Sequence, residues 1–198
     1  ERSLHVTRVF LQQLRIFGVE AEPRVLQLAA TENERRAMRE KLHLRDGNTE
    51  VITINMNAGS TSLERRWMPE RFIEVVKKLL EQNRSRHFFF IGNADERGYI
   101  GNALAAHPEF SDRATNCAGQ LTLGELLALF KRSSFVLTND SGPMHLAAAT
   151  GAKVVALFGP ESPDFYGPIG DVRVIYKGIE CSPCLNIYNA KLFVCPYQ

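Results

Sequence analysis

The segment Asn-Asp-Ser-Gly-Pro at 139–143 contains the residues of this chain best suited to bind an anion. It joins an apolar run of strand length, 135–138, to a helix of small residues, 144–150. Gly142 lets a ligand approach the backbone, and Pro143 takes an early helical position at which no intrahelical N–H is needed. The free N–H groups of the first helical turn favour a phosphate. A turn of this composition can also serve only to cap its helix, through the aspartate or the serine.

A second group of chemically useful residues lies in the segment Glu-Arg-Arg-Trp-Met-Pro at 64–69. A guanidinium can hold two phosphate oxygens with paired hydrogen bonds, so Arg65 or Arg66 is a natural diphosphate clamp. The alternative is a solvated helix entrance with Trp67 packed in the core. Further along, the segment 92–96 supplies a carboxylate that could accept hydrogen bonds from ribose hydroxyls, although Asp95 would serve equally well as a helix cap.

Alternating strand and helix patterns begin at Val51 and predict a Rossmann-like, doubly wound parallel sheet in the α/β class. The predicted strands are 51–57, 87–92, 114–118, 135–138, 154–158 and 172–176. The predicted helices are 70–82, 95–106, 123–132 and 144–150, the third opened by a capping box of Thr122 and Glu125. In the common strand order 3-2-1-4-5-6, the first and fourth strands are neighbours. The hydroxyl-rich loop 58–62 and the turn 139–143 should therefore meet in one crevice, which favours a phosphate site there.

The first 48 residues have helical patterns and no strand pattern. We expect an amphipathic helix at 5–17 ended by Gly18, an extended segment at 24–30, and a charged helix opened by a capping box. We interpret 1–48 as the end of a preceding domain with an interdomain linker, and 49–198 as the Rossmann-like domain. Because residue 1 is Glu rather than Met, we expect a piece of a longer chain or a processed one.

Composition argues against several classes of protein. The 198 residues include 24 Lys and Arg against 22 Asp and Glu, without a basic tract, which argues against a nucleic-acid partner. We expect no signal peptide, and no apolar run reaches the roughly 18 residues of a membrane span. The chain also lacks the glycine motif of dinucleotide-binding folds and the P-loop of nucleotide hydrolases.

The four cysteines are Cys117, Cys181, Cys184 and Cys195. Their number does not make a secreted disulfide framework in a chain of this size, which favours a reducing cytoplasm. Cys117 stands alone, and the other three could bind zinc with a fourth ligand that the sequence does not identify, form a disulfide, or remain ordinary thiols.

Two separate motifs, in order and at the right distance, resemble glycosyltransferase family 9, the lipopolysaccharide heptosyltransferases. The matching segments are 57–72, 139–149, 154–160 and 162–163, with Cys-Ser-Pro-Cys at 181–184 similar to a tail found in some members. The resemblance covers about 51–195. It implies a GT-B architecture, in which two Rossmann-like domains face a cleft and this chain is the second, donor-binding domain. It also implies ADP-heptose as donor and the lipopolysaccharide inner core as acceptor.

The resemblance assigns donor-binding positions in the first part of the domain. Ser60 and Thr61 would touch phosphate oxygens, and Glu96 would bind the ribose. Arg65 would stand where the family often has a lysine on the diphosphate, so the charge is kept and the reach changes. Met68 departs from the usual Trp-Pro step, which can shift the alignment there by one residue.

The resemblance also assigns positions around the turn before the small-residue helix. Asp140, Ser141, Gly142 and His145 would hold the pyrophosphate and the sugar. The implied reaction inverts the anomeric centre, with the helix and Arg65 stabilising the departing ADP, so neither a metal nor another cofactor is expected. Asp140 would cap the helix or bind heptose hydroxyls. A lone helical His is also often packed or surface-facing.

The base that deprotonates the acceptor hydroxyl is expected in the missing first domain. The isolated fragment should therefore bind ADP weakly and transfer no sugar. The expected location is the cytoplasm, either free or peripheral at the inner face of the inner membrane. The alternatives are another GT-B enzyme, such as a UDP-sugar 2-epimerase, and a non-catalytic nucleotide-binding domain.

Overall fold

A six-stranded parallel sheet forms the centre of the protein, in a computed structural model that describes residues 5–44, 49–59, 63–185 and 195. The strands are β1 (Val51–Asn55), β2 (His87–Phe90), β3 (Ala114–Asn116), β4 (Phe135–Asn139), β5 (Val154–Phe158) and β6 (Val172–Tyr176). Their order is β3-β2-β1-β4-β5-β6, and every neighbouring pair is parallel. The predicted fold class and strand order are confirmed.

Helices cover both faces of this sheet, with α3 and α4 on one face and α5 and α6 on the other. The helices of the described residues are α1 (Val6–Leu14), α2 (Glu32–Lys41), α3 (Pro69–Gln82), α4 (Arg97–Ala105), α5 (Leu123–Arg132), α6 (Gly142–Ala149) and α7 (Pro163–Tyr166). Because successive side chains of a strand point to opposite faces, β1 contributes to two separate cores. Val51 joins the core that includes α5 and α6, while Ile52 and Ile54 join the core that includes α3.

Helix starts follow the sequence patterns closely. Thr31 with Glu34 and Thr122 with Glu125 form complete capping boxes at α2 and α5, as predicted. Helix α6 begins at Gly142, two residues earlier than predicted, because Pro143 fits its first turn without needing an N–H.

The N-terminal segment lies outside the sheet and contacts the end of α6. Helix α1 continues as a short 3₁₀ turn through Phe17 to Gly18, whose φ of 74° ends it as predicted. The backbone N–H of Leu28 donates to the Ala149 carbonyl at 2.8 Å, so the extended segment lies against the C-terminal end of α6. None of the described helices is both long and apolar enough to cross a bilayer.

Candidate functional site

A cleft of about 460 Å³ lies at the carboxyl ends of β1 and β4, where the direction of winding reverses. Its lining residues are Asn55, Asn57, Ala58, Gly59, Arg65, Ile91, Gly92, Asn93, Glu96, Cys117, Leu121, Leu126, Ser141, Gly142 and Pro143. Ligands of open α/β sheets bind at this topological position. The lining is polar near α6 and Arg65, and more apolar around Ile91 and Leu121.

The start of α6 is open toward this cleft. Ser141 is the N-cap residue, but among the described residues its side chain makes no cap hydrogen bond. Its hydroxyl instead donates to the Asn139 carbonyl at 3.1 Å and accepts from Asn55 Nδ2 at 2.8 Å. Ser141 thus occupies the N-cap position without the side-chain hydrogen bond that the capping alternative required. A carbon added to Gly142 would meet nothing within 4 Å, so space for a ligand lies directly over the first turn.

Two buried asparagines fix the loops on either side of the cleft. Asn55 Nδ2 also donates to Thr138 Oγ1 at 3.0 Å, which joins the ends of β1 and β4. Asn139 donates through Nδ2 to the Met56 carbonyl at 2.8 Å and accepts from the Trp67 backbone N–H at 3.1 Å. Asn55 was missed in the sequence, and Asn139 was noted there only as part of the segment 139–143. The available signal was the same for both, because each is an amide at the end of an apolar strand.

Arg65 and Asp140 form an ion pair beside the cleft. Arg65 Nη1 lies 3.8 Å from Asp140 Oδ2, and Arg65 Nη2 donates to the Ala58 carbonyl at 3.3 Å. Asp140 is only 5% exposed, and its Oδ2 has no hydrogen-bond partner in the described part of the chain. Burial raises the pKa of Asp140, and the charge of Arg65 opposes that shift. Arg65 lines the cleft itself, so it can exchange this loose pair for an anionic ligand.

Glu161 is a second buried carboxylate near the same pair, and the sequence analysis did not identify it. It follows β5, the neighbour of β4, and is 7% exposed. Burial raises the pKa of Glu161 to about 7, with a further rise from the nearby Asp140 charge and an opposing effect from Arg65. Its position depends on strand order, which no local pattern around residue 161 contains.

Arg66 contacts two residues of the cleft lining, Gly59 and Glu96. Its guanidinium lies 5.0 Å from the centre of the Tyr99 ring, and its Nη2 donates to the Gly59 carbonyl at 3.2 Å. Arg66 Nη2 also lies 3.7 Å from Glu96 Oε1, whose partner oxygen Oε2 accepts from the Asn93 backbone N–H at 2.9 Å. Glu96 thereby lies in the cleft lining, and its contact with a ribose stays a prediction.

The remaining predicted residues are placed differently. His145 is exposed and does not belong to the cleft lining, while Ser60 and Thr61 lie outside the described residues. Trp67 is 37% exposed, so its expected place in the core is wrong; its ring packs edge-on against Phe72.

The cysteines lie in two places. Cys117 follows β3 and lines the cleft, where burial raises the pKa of its thiol to about 12. Cys181, Cys184 and Cys195 line a separate apolar cavity of about 280 Å³. No disulfide joins the four cysteines, all of which are described, and no group of three side chains within the described ranges could hold a metal ion.

A family model described as glycosyltransferase family 9 (heptosyltransferase) matches residues 2–192 of this chain. Lipopolysaccharide heptosyltransferase 2 of Escherichia coli is 35% identical over 113 residues, which are 56% of this chain and 32% of that protein. Lipooligosaccharide heptosyltransferase 2 of Haemophilus influenzae is 32% identical over 117 residues, 59% of this chain and 33% of that protein. These alignments thus cover about a third of each relative.

Solved structures show the same fold over a larger share of the chain. The E. coli ADP-heptose lps heptosyltransferase II matches 75% of this chain and 44% of its own, with a TM-score of 0.68 and 30% identity. A family 9 glycosyl transferase from Veillonella parvula matches 89% of this chain and 50% of its own, with a TM-score of 0.73 and 26% identity. This chain corresponds to about half of each of those structures.

Proposed function

Because the chain belongs to glycosyltransferase family 9, we propose that it forms the donor-binding half of a heptosyltransferase that transfers a sugar from a nucleotide diphosphate. In this proposal residues 49–198 bind the donor, and residues 1–48 end a preceding domain and connect it to this one. The exposed apolar side chains of the N-terminal helical segment support that division. Phe10, Ile16 and Phe17 are among them, and a preceding domain would cover them.

The observation that carries the proposal is the meeting of an open helix start and a cation in one cleft. In the first turn of α6, Pro143 has no N–H and the Met144 N–H donates to the Ser141 carbonyl at 3.1 Å, so the turn offers a ligand the Gly142 N–H and the positive end of the helix dipole. Arg65 lines the same cleft, and its contacts there are the 3.8 Å ion pair with Asp140 and the 3.3 Å hydrogen bond to the Ala58 carbonyl. Together they complement a diphosphate.

The donor proposed is ADP-heptose, and the acceptor is the lipopolysaccharide inner core. A structural neighbour at 30% identity is described as an ADP-heptose heptosyltransferase, and the relatives are lipopolysaccharide or lipooligosaccharide heptosyltransferases. The apolar end of the cleft, around Ile91, Leu121 and Leu126, suits a flat nucleobase. Glu96 at the rim suits the ribose.

In the proposed reaction the acceptor hydroxyl attacks the anomeric carbon and ADP leaves from the opposite side, which inverts the centre. Arg65 and the start of α6 stabilise the negative charge that develops on the departing diphosphate. Asp140, buried beside Arg65, accepts hydrogen bonds from the sugar hydroxyls. Ser60, Thr61 and His145 remain predicted donor contacts, and the base that deprotonates the acceptor belongs to the preceding domain.

Titration calorimetry with ADP tests the donor site on the chain as it stands. We expect ADP to bind and UDP to bind more weakly, and Arg65→Ala to weaken ADP at least roughly 30-fold because the diphosphate loses its cation. Arg71→Ala is the matched control, since Arg71 is exposed and pairs with Glu74 on the outside of α3. Absence of ADP binding, or equal losses in both variants, would contradict the proposed site; preference for UDP would favour an epimerase-like enzyme.

The transfer itself is tested on the longer protein, with a domain preceding residue 1. That protein should convert ADP-heptose and a core acceptor to product, and Arg65→Ala should lower kcat/KM more than the exposed Arg71→Ala. The fragment alone should give no turnover, and turnover by the fragment would refute the division of labour between the two domains.

A further inference from the structure

One acceptor atom in the cleft is buried and has no hydrogen-bond partner among the described residues. Asn57 follows β1, lines the cleft, and is 2% exposed. Its Nδ2 donates to the Ile91 carbonyl at 3.1 Å, and because a carbonyl can only accept, this bond fixes which end of the amide points away. The other end, Oδ1, is the unpartnered atom. A buried acceptor of this kind requires an explanation, since folding removed it from water without replacement.

The Glu96 carboxylate lies close to the side chain of Asn57. A carbon added to Gly92 would lie 2.8 Å from Asn57 Nδ2 and 2.9 Å from Glu96 Oε2. The Nδ2 end of the amide and the carboxylate therefore both approach Gly92, and a larger residue there would displace them. Glu96 Oε2 is held by the Asn93 backbone N–H at 2.9 Å, so the carboxylate has a fixed position.

The unpartnered Asn57 Oδ1 and the Glu96 carboxylate both belong to the part of the cleft lining beside Gly92, and together they define what kind of group can bind there. A phosphate group at neutral pH offers only acceptor oxygens, so it would be repelled here and belongs at the other end of the cleft, with Arg65. A nucleobase amine offers donors from one atom. The adjacent hydroxyls of a ribose offer two separate donors on neighbouring carbons, which is the complementary pattern.

We propose that Asn57 is a specificity-determining residue whose Oδ1 accepts a hydrogen bond from a ribose hydroxyl of the nucleotide, beside Glu96. The inference rests on the proposed nucleotide-sugar site and adds to it a selection for ribonucleotides over deoxyribonucleotides. When the hydroxyl is missing, Oδ1 remains buried and unpaired in the complex, and such mismatches are strongly rejected by sites built around a hydrogen bond.

Calorimetry with ADP, 2′-deoxy-ADP and 3′-deoxy-ADP provides the test. In the wild type, at least one deoxy analogue should bind roughly 30-fold or more weakly than ADP. In Asn57→Ala that penalty should shrink at least about tenfold, because the acceptor that rejected the analogue is gone.

Asn139→Ala is the matched control. Asn139 is likewise buried at the end of a strand, but both ends of its amide are bonded, to the Met56 carbonyl and the Trp67 backbone N–H. This variant should weaken all three nucleotides alike and keep their ratios. If Asn57 were merely structural, Asn57→Ala would behave in the same way, and the proposal would be refuted.

A measurement on the wild type covers the case in which Asn57→Ala does not fold. The side-chain amide signals of Asn57 in a ¹⁵N spectrum should move when ADP binds and stay near their free positions with the rejected analogue. Equal movement with all three nucleotides would overturn the proposal while leaving the nucleotide site intact. Absence of any ADP binding would instead overturn the proposed function itself.

Discussion

Helices α5 and α6 follow one another along the chain and begin in opposite ways. At the start of α5, Glu125 is 5% exposed and completely bonded: it accepts from Lys41 Nζ at 2.6 and 2.7 Å and from the Thr122 backbone N–H at 2.7 Å. At the start of α6, Asp140 is buried to the same degree and has only its loose ion pair with Arg65 among the described residues.

The pKa values of the two carboxylates shift in opposite directions because their partners differ. The hydrogen bond from Lys41 is the largest effect at Glu125 and lowers the pKa of Glu125, whereas burial dominates at Asp140 and raises the pKa of Asp140. The closed start of α5 therefore contributes to folding, while the open start of α6 leaves donors available to a ligand.

Filling the space over the first turn of α6 should have the largest effect, which is on ADP affinity. Gly142→Asp places a carboxylate over the first turn of α6, where its negative charge should repel a diphosphate. We expect ADP affinity to fall on the order of 1,000-fold, about 4 kcal/mol, without loss of folding. Calorimetry measures the affinity and thermal unfolding the stability.

The control for this experiment is Gly142→Ala, because a carbon added there meets nothing within 4 Å. It should bind ADP nearly as well as the wild type. If Gly142→Asp also bound ADP normally, the start of α6 would not be the anion site.

Removing the buried carboxylate of Glu161, which lies near Asp140, should change how the free energy of unfolding depends on pH. The folded-state pKa of Glu161 is raised from its ordinary 4.5 to about 7, so its contribution is fully present below pH 4.5 and is lost as pH rises through 7. Glu161→Gln should abolish that loss. Above pH 7 the variant should be more stable by on the order of 3 kcal/mol, and near pH 4 the two should be equal.

Denaturant unfolding at a series of pH values measures this difference. Parallel curves for wild type and Glu161→Gln would show that Glu161 is not held in the uncharged form by its surroundings.

Weakening the capping box at the start of α5 should lower the stability of the fold and leave the ligand site unchanged. Glu125→Gln keeps the shape of the capping box and removes the charge that pairs with Lys41, which should cost about 2 kcal/mol at pH 7. Because the folded-state pKa of Glu125 is lowered, this contribution is present at neutral pH and is lost on acidification below its ordinary value. Denaturant unfolding at pH 7 and pH 3 measures the loss. ADP affinity should not change, and a tenfold loss of it would contradict the separation of the two regions.

The smallest effect on stability is expected at the exposed capping box at the start of α2. Thr31→Ala removes the hydroxyl that accepts from the Glu34 backbone N–H at 3.3 Å, and this should cost about 1 kcal/mol of unfolding free energy. A change in melting temperature of a few degrees, with normal ADP binding, is the expected measurement. A larger loss than that of Glu125→Gln would mean that the exposed box stabilises the fold more than the buried one does.

The parts of the structure that the sequence predicted are those with local causes. The strands and their alternation with helices, both capping boxes and the end of α1 at Gly18 followed from patterns within a few residues of each feature. Ser141 was misjudged because its hydroxyl is used by Asn55, a residue 86 positions away, and not by its own helix. Glu161 and Asn57 were missed because their environments depend on which strands are neighbours.

The hydrogen bond between Leu28 and Ala149 connects the extended N-terminal segment to the C-terminal end of α6. An eight-residue helix is about 12 Å long, so that segment lies one helix length from the turn that lines the cleft. If the cleft binds the donor as proposed, a shift of the N-terminal segment would reach the site through this one helix. The position of that segment and the affinity for the diphosphate would then depend on each other.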